Sequence, residues 1–372
     1  MSRLTSLLRQ LVAKHVQDLV PYASARRLFS SASQSTDKSA PVWLNANEAP
    51  VAGDYQIDSG LYNRYPDCQP DALIAGYADY AGIQASQVLA TRGADEGIEL
   101  LIRTFCNAPD DHILICPPTY GMYAISAATA NIGVHHAPLN DDFSLDLDAI
   151  KAFKGRTNLV FLCSPNNPTG NQLALEDVVN IVEHFADSAL VVIDEAYVEF
   201  ASYNTTTLLA DYPHVVILRT LSKAFGLAGL RCGFTLAQPE VIEQLLKVIA
   251  PYPISAPVAD IAIQALSASG LASMQTQVST LQAEQAQLVN VLPTIGDIEL
   301  VGRQDANFVL FRTAQKDALM QYLVHQQVFI RDQSKQLKLG QCLRISVGTA
   351  QQNARLISLI QQFYAIQEAT AL

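Results

Sequence analysis

The sequence predicts an α/β fold: a large domain with a mainly parallel central sheet flanked by helices, plus a smaller α+β domain. Three observations carry that expectation. Apolar runs of strand length recur without polar alternation, as at 159–163 and 215–218, which marks strands buried on both faces. Segments with helical periodicity fill the gaps between the runs. The polar residues of interest follow the carboxyl ends of these runs, where open α/β sheets bind ligands.

Composition bounds the function classes. The chain has 372 residues, 49% of them hydrophobic and 16% charged, which suits a globular enzyme with a large core rather than a disordered or fibrous chain. A net charge of −11 argues against a general nucleic-acid surface. No apolar run approaches the roughly 18 residues that span a bilayer. The six cysteines form no Cys-x-x-Cys pair and read as reduced thiols in a reducing, cytoplasmic compartment. His135-His136 has no ligand-spaced partner, so no metal site is expected. Asn204-Thr205-Thr206 matches a glycosylation acceptor, a pattern frequent by chance.

Taken in order, residues 1–40 form an arm and link. Arg3, Arg9, Lys14, Arg26 and Arg27 face a single acid, Asp18, over residues 1–36. That balance resembles a transit peptide, but a functional arm carrying Tyr22 is the preferred reading. The Ser- and Ala-rich stretch 30–40 is a flexible link. The large domain is expected over 41–255. Residues 42–44 are a short apolar stretch, 62–67 a Pro-broken loop, 70–80 a helix and 88–91 a strand. Ile98, Leu101, Ile102 and Phe105 lie on one helix face, behind a Gly93-Ala94-Asp95 turn whose free N–H groups suit a phosphate. Further strands are expected at 113–115, 159–163, 189–193 and 215–218, with a helix over 174–186. The small domain, 256–372 joined by part of the N-terminal segment, holds a polar helix at 271–291, strands at 307–312, 328–331 and 343–347, a helix at 314–326 and a final helix at 350–365.

Lys223 lies beside Ser222 among small and apolar residues. Burying an ammonium is costly, and the cost becomes useful if the lysine must lose its proton and attack a carbonyl. A lysine that holds pyridoxal 5'-phosphate needs a carboxylate against the pyridine nitrogen; Asp194, at a strand end, suits that role. Asn167 and Tyr197 can serve the phenolic oxygen. The turn at Ala94 and Asp95, with Ser222 and Arg231, can supply phosphate donors, and Tyr120 can stack on the ring. A surface lysine on a loop is the plain alternative for Lys223 alone; the five strand-end clusters weigh against it.

Ser164-Pro165-Asn166-Asn167-Pro168-Thr169-Gly170, Asp194-Glu195-Ala196-Tyr197 and the run Ser222-Lys223-Ala224-Phe225-Gly226-Leu227-Ala228-Gly229-Leu230-Arg231 resemble the signature of fold-type-I, PLP-dependent aminotransferases. Tyr22 to Arg27, Leu44 to Glu48, Asn63 to Pro70, Arg92 to Gly97 and Pro117 to Tyr123 narrow the resemblance to histidinol-phosphate aminotransferases. It implies that Lys223 carries the cofactor and moves the substrate's proton, that Asp194 pairs with the ring nitrogen, and that Asn167 and Tyr197 hold the phenolic oxygen. It further implies that Ala94, Asp95, Ser222 and Arg231 bind the cofactor phosphate, that Tyr120 stacks on the ring, and that Tyr65 reaches the cofactor of the neighbouring subunit in a homodimer. Arg344, Arg331, Asn167 and Tyr22 would bind substrate, with L-histidinol phosphate and 2-oxoglutarate taken in turn. Ala49-Pro50 is less bulky than the family pattern, a packing variation. Aromatic aminotransferases and threonine-phosphate decarboxylases share the catalytic set, so both stand as alternatives. A PLP-binding regulator is disfavoured because only about 20 residues precede Tyr22 and the balance is acidic. A paralogue without catalysis is opposed by the intact Lys223, Asp194 and Arg231.

Overall fold

The computed structural model describes residues 3–21, 41–60 and 62–370. Thirteen strands are found among them. The first, β1 (Val42–Trp43), precedes the strands of the main sheet: β2 (Val88–Thr91), β3 (His112–Ile115), β4 (Gly133–His136), β5 (Leu159–Cys163), β6 (Leu190–Asp194), β7 (Val215–Thr220) and β8 (Gly233–Leu236). Their spatial order is β2-β8-β7-β6-β5-β3-β4. All pairings are parallel except those of β8, which runs antiparallel to both β7 and β2.

The two faces of this sheet are covered by separate cores, which explains the absence of polar alternation. Within β5, Val160 and Leu162 pack on one face, with Ile181 and Phe185 of the Leu175–Phe185 helix. Leu159 and Phe161 pack on the other, with Ile98, Leu101 and Ile102 of the Ala94–Phe105 helix. Each fully buried side chain of this size contributes about 1.5–3 kcal/mol relative to exposure.

Two strands of the main sheet carry no run of the expected kind. Gly133–His136 is polar and only partly buried because it forms an edge of the sheet, where one face and one ladder remain open. Gly233–Leu236 lies inside the Gly-punctuated segment after Lys223. Arg231 takes a left-handed conformation, φ 56°, and the chain then returns directly beside β7, so no crossover helix intervenes.

The C-terminal strands are β9 (Glu299–Val301), β10 (Phe308–Arg312), β11 (Val328–Phe329), β12 (Arg331–Asp332) and β13 (Cys342–Ser346). The order β12-β13-β10-β9 makes an antiparallel sheet. Helices Ala268–Val291, Lys316–His325 and Ala350–Thr370 accompany it. The apolar run 328–331 is split: β11 pairs in parallel with β1, while β12 pairs with β13. Trp43 and Phe329 stack at 4.4 Å across the first of these junctions. Residues just before the main sheet are thereby anchored on C-terminal structure, which carries Asn45, Ala46, Asn47 and Glu48 into the central cavity.

A buried ion pair joins the ends of two main-sheet strands. Glu195, one residue past β6, accepts two hydrogen bonds from Arg219 of β7 at 2.8 and 2.7 Å. Its other oxygen accepts from the backbone N–H and hydroxyl of Thr205 at 2.6 and 2.8 Å. Both charged side chains are nearly inaccessible, at 4% and 2%. Breaking such a pair strands a charge, so Arg219→Met is expected to cost about 3–5 kcal/mol, measured as a drop in urea midpoint. The double change Glu195→Met with Arg219→Met recovers part of that loss, since Glu195 is no longer left as a charge without its partner.

Candidate active site

One cavity of about 480 Å³ gathers the carboxyl ends of the main-sheet strands against the C-terminal sheet. Its lining includes Ala94, Asp95, Tyr120, Asn167, Asp194, Tyr197, Ser222, Lys223, Arg231, Arg331 and Arg344. These residues span sequence positions 94 to 344 and meet because parallel strands end at one edge of the sheet.

Lys223 follows β7 in a turn and is partly buried. Its Nζ donates to the Ala46 carbonyl at 3.1 Å and lies 5.7 Å from the centre of the Tyr197 ring. Burial lowers its pKa to about 8, with the Arg344 guanidinium acting in the same direction and Asp95 and Glu48 opposing. At pH 7 about a tenth of the amine is then neutral, against roughly one part in three thousand for an ordinary lysine. A nucleophilic amine is therefore available without extreme pH.

Asp194 ends β6 and is 2% exposed. The Tyr123 hydroxyl donates to Oδ2 at 2.6 Å, and the Ala196 N–H donates to Oδ1 at 3.0 Å. Burial raises its pKa to about 6, while those two hydrogen bonds hold it down. No salt bridge to Asp194 is found among the described residues. A buried carboxylate served by neutral donors and facing a cavity is matched by a cationic ring nitrogen arriving from outside.

One end of the cavity is built on Gly93, Asp95, Ser222 and Arg231. Gly93 has φ 80° and caps the Ala94–Phe105 helix with no side-chain cap, leaving its first N–H groups without intrahelical partners. A Cβ at Gly93 would lie 2.7 Å from Arg231 Nη2, so glycine permits the close approach as well as the dihedral. Arg231 reaches Ser222 Oγ at 3.4 Å and Asp95 Oδ2 at 3.3 Å. The Tyr120 hydroxyl donates to Asp95 Oδ1 at 2.9 Å. Helix N–H groups, a hydroxyl and a guanidinium at one spot are a donor set for an oxyanion.

On the opposite wall, Arg331 and Arg344 are cross-strand partners on β12 and β13. Like charges placed this way are unfavourable unless an anion lies between them. Arg344 Nη1 donates to the Asn167 side-chain oxygen, and Nη2 donates to the Asn45 carbonyl at 3.2 Å. Tyr197 is buried, and its pKa is raised by that burial; its hydroxyl accepts from Asn47 Nδ2 at 2.9 Å. The whole set fits the expected pyridoxal phosphate: an amine, a buried carboxylate, phenolic-oxygen partners, an oxyanion cradle and an aromatic ring.

One expected residue is not in this cavity. Tyr65 is 80% exposed and stacks on Tyr252 at 4.4 Å, on the outer surface of the chain. Tyr22 lies outside the described residues. Sequence reasoning missed the contacts of Asn47, Tyr123, Gln333 and Gln336. Asn47 had one usable signal, since it sits in Asn45-Ala46-Asn47-Glu48 and adopts φ 53°, a region that asparagine tolerates. Tyr123 entered only as the last residue of the Pro117 to Tyr123 motif, with no contact assigned to it.

Known proteins resemble this chain in sequence and in fold. A family model described as aminotransferase class I and II matches residues 30–360. A histidinol-phosphate aminotransferase of Pseudoalteromonas atlantica is 58% identical over 98% of this chain and 98% of its own. One of Yersinia enterocolitica is 50% identical over 94% of this chain and 92% of its own. The crystal structure of histidinol-phosphate aminotransferase from Sinorhizobium meliloti in complex with pyridoxal-5'-phosphate shares the fold, with a TM-score of 0.83 at 21% identity, covering 96% of this chain and 98% of that one.

The lowered pKa of Lys223 has a direct consequence in cofactor-free protein. Labelling of Lys223 by a small aldehyde, trapped with borohydride and located by peptide mass spectrometry, should reach half its plateau near pH 8, below the ordinary 10.5. Arg344→Ala removes a cation that disfavours the ammonium, so its midpoint should move to higher pH. A midpoint near 10.5 in the unsubstituted chain would contradict the assignment.

Proposed function

We propose, for a chain that belongs to the class I and II aminotransferase family, the transfer of an amino group from L-histidinol phosphate to 2-oxoglutarate. The products are imidazole acetol phosphate and L-glutamate, and the pathway is L-histidine biosynthesis. The observation that carries the reaction class is the meeting of Lys223, Asp194 and the Arg331–Arg344 pair in one cavity. The relatives' shared name supports the substrate.

Pyridoxal phosphate, when bound, supplies an electron sink that stabilises negative charge on the substrate carbon. Lys223 would hold its carbonyl, Asp194 its ring nitrogen, and Tyr197 with Asn167 its phenolic oxygen. The N–H groups of Ala94 and Asp95, with Ser222 and Arg231, would hold its phosphate, and Tyr120 would cover its ring. The protein's own part is to position and to move protons. Lys223, about a tenth of it neutral at pH 7, would take the proton from the substrate carbon and hand it to the bound cofactor. Asp194 stays ionised at pH 7 because Tyr123 and the Ala196 N–H offset its burial. Arg331 and Arg344 accept the oxyanion of either substrate, since a guanidinium fork pairs with phosphate or carboxylate alike. One site can therefore serve both halves of the reaction.

The working unit in this reading is a cytoplasmic homodimer with a large domain at 41–255 and a small one at 256–372. Among the described residues no helix is long and apolar enough to cross a membrane. Support for the dimer comes from Tyr65 and Tyr252, two large exposed aromatic side chains that stack on each other; Tyr65 would complete the partner's cofactor site. Tyr22 of the arm would contact the substrate.

The test is the absorbance spectrum of the cofactor-loaded protein on adding L-histidinol phosphate without a keto acid. Loss of the long-wavelength band, restored by 2-oxoglutarate, is expected. An unchanged band with histidinol phosphate but a response to an aromatic amino acid would overturn the substrate. Lys223→Ala should cut turnover by about 10³-fold or more, the scale of a lost general acid–base group. Tyr123→Phe removes a bond that favours the ionised form of Asp194, so the acid limb of the pH–rate profile should move to higher pH.

A further inference from the structure

The wall that carries Arg331 continues for five residues, and two glutamines there face the cavity beside it. Gln333 extends the β12 ladder, its N–H donating to the Cys342 carbonyl at 3.0 Å. A spacing of two puts its side chain on the same face as that of Arg331. Gln333 is buried at 7% exposure, yet it lines the cavity. Gln336 Nε2 donates to Gln333 Oε1 at 2.9 Å, and the turn holding them closes through the Gln336 N–H to the Gln333 carbonyl at 3.0 Å. With its oxygen engaged by Gln336, the Gln333 amide is fixed in orientation. Among the described residues its Nε2 donates to no acceptor, so two N–H groups remain for a ligand.

The two anionic groups that this cavity must take differ in one respect. A carboxylate has two oxygens, and one guanidinium fork satisfies both. A phosphate monoester has three terminal oxygens and carries more negative charge. After Arg331 binds two of them, the third needs another donor. Arg344 is turned toward Asn167 and the Asn45 carbonyl, on the cofactor side. Gln333 Nε2 is the donor on the Arg331 side, and being neutral it adds little for a carboxylate already held by a fork.

We propose that Gln333 is a specificity-determining residue whose Nε2 donates to the phosphate of the substrate beside Arg331, with Gln336 as the positioning residue that orients the amide. The assignment rests on the phosphate-bearing substrate proposed above, and the test separates the two.

Cofactor-loaded enzyme is compared with Gln333→Met, Gln333→Glu and Gln336→Met, using L-histidinol phosphate and L-glutamate as alternative amino donors. Gln333→Met keeps the volume and removes the donor. Its kcat/KM for histidinol phosphate should fall about tenfold, through KM, the scale of one hydrogen bond to a charged group. For glutamate the fall should be about twofold. Gln333→Glu sets a negative charge against the phosphate and should fall further with histidinol phosphate, while Gln336→Met should lie between the parent and Gln333→Met. Inorganic phosphate, as a competitor of the glutamate half-reaction, should need about tenfold higher concentration against Gln333→Met. Equal losses with both donors, or phosphate competition that is absent in the parent or unaltered in Gln333→Met, would overturn the assignment. If the parent does not turn over histidinol phosphate, the proposed substrate falls and the phosphate competition decides on Gln333 alone.

Discussion

Two carboxylates at successive positions, Asp194 and Glu195, are both buried at the end of β6, and the surrounding structure is arranged to keep both. An isolated buried charge is not sustainable without partners. Glu195 turns to the framework and takes the full fork of Arg219 together with Thr205. Asp194 turns to the cavity and receives only a phenol and a backbone N–H. The first is neutralised by the protein. The second is solvated just well enough to remain an anion near neutral pH, and none of the described residues supplies a cation to pair with it.

The cavity wall opposite inverts that balance. Arg331 and Arg344 are brought side by side by strand register, at a cost in mutual repulsion, within a chain that carries a net charge of −11. Arg344 adds to the burial that lowers the pKa of Lys223, and both arginines offer forks to an incoming oxyanion, so a single arrangement serves two ends. It disfavours the ammonium form of the lysine while the site is open, and it binds an anionic substrate when one arrives. Bound anion in turn offsets the repulsion, which ties substrate charge to the electrostatics of the lysine.

The framework that permits this is the edge at which β5, β6 and β7 end together, closed by strand β8 running the other way. The reversed strand returns the chain immediately after the Lys223 turn and sets Gly233 against the backbone of Gly93 and Ala94, where a Cβ would lie 2.6 Å away. That contact brings Arg231 to the helix start where the oxyanion donors lie. Strand β1, paired with β11, carries Ala46 and Asn47 over the cavity, where they reach the lysine and Tyr197.

By itself the sequence determined the layered fold, because strands buried on both faces leave unbroken apolar runs of strand length, bounded by turn residues and alternating with helical periodicity. It also pointed to cavity-lining side chains such as Ala94, Asn167, Tyr197 and Lys223, because each follows such a run, whereas Arg344, inside a strand, came only from the resemblance. It did not show β4, an edge strand of mixed polarity, nor β8, whose glycine and threonine interrupt the run and whose direction depends on a left-handed Arg231. The partners of the reactive groups were likewise decided only in three dimensions. Tyr123 meets Asp194, Asn47 meets Tyr197, and Gln333 meets Gln336 on the wall of Arg331. These are contacts across elements, or orientations of a polar side chain within a turn, and burial patterns along one strand or helix carry no record of them. Local periodicity encodes which face is covered; only the tertiary packing decides which polar atom lies across from which.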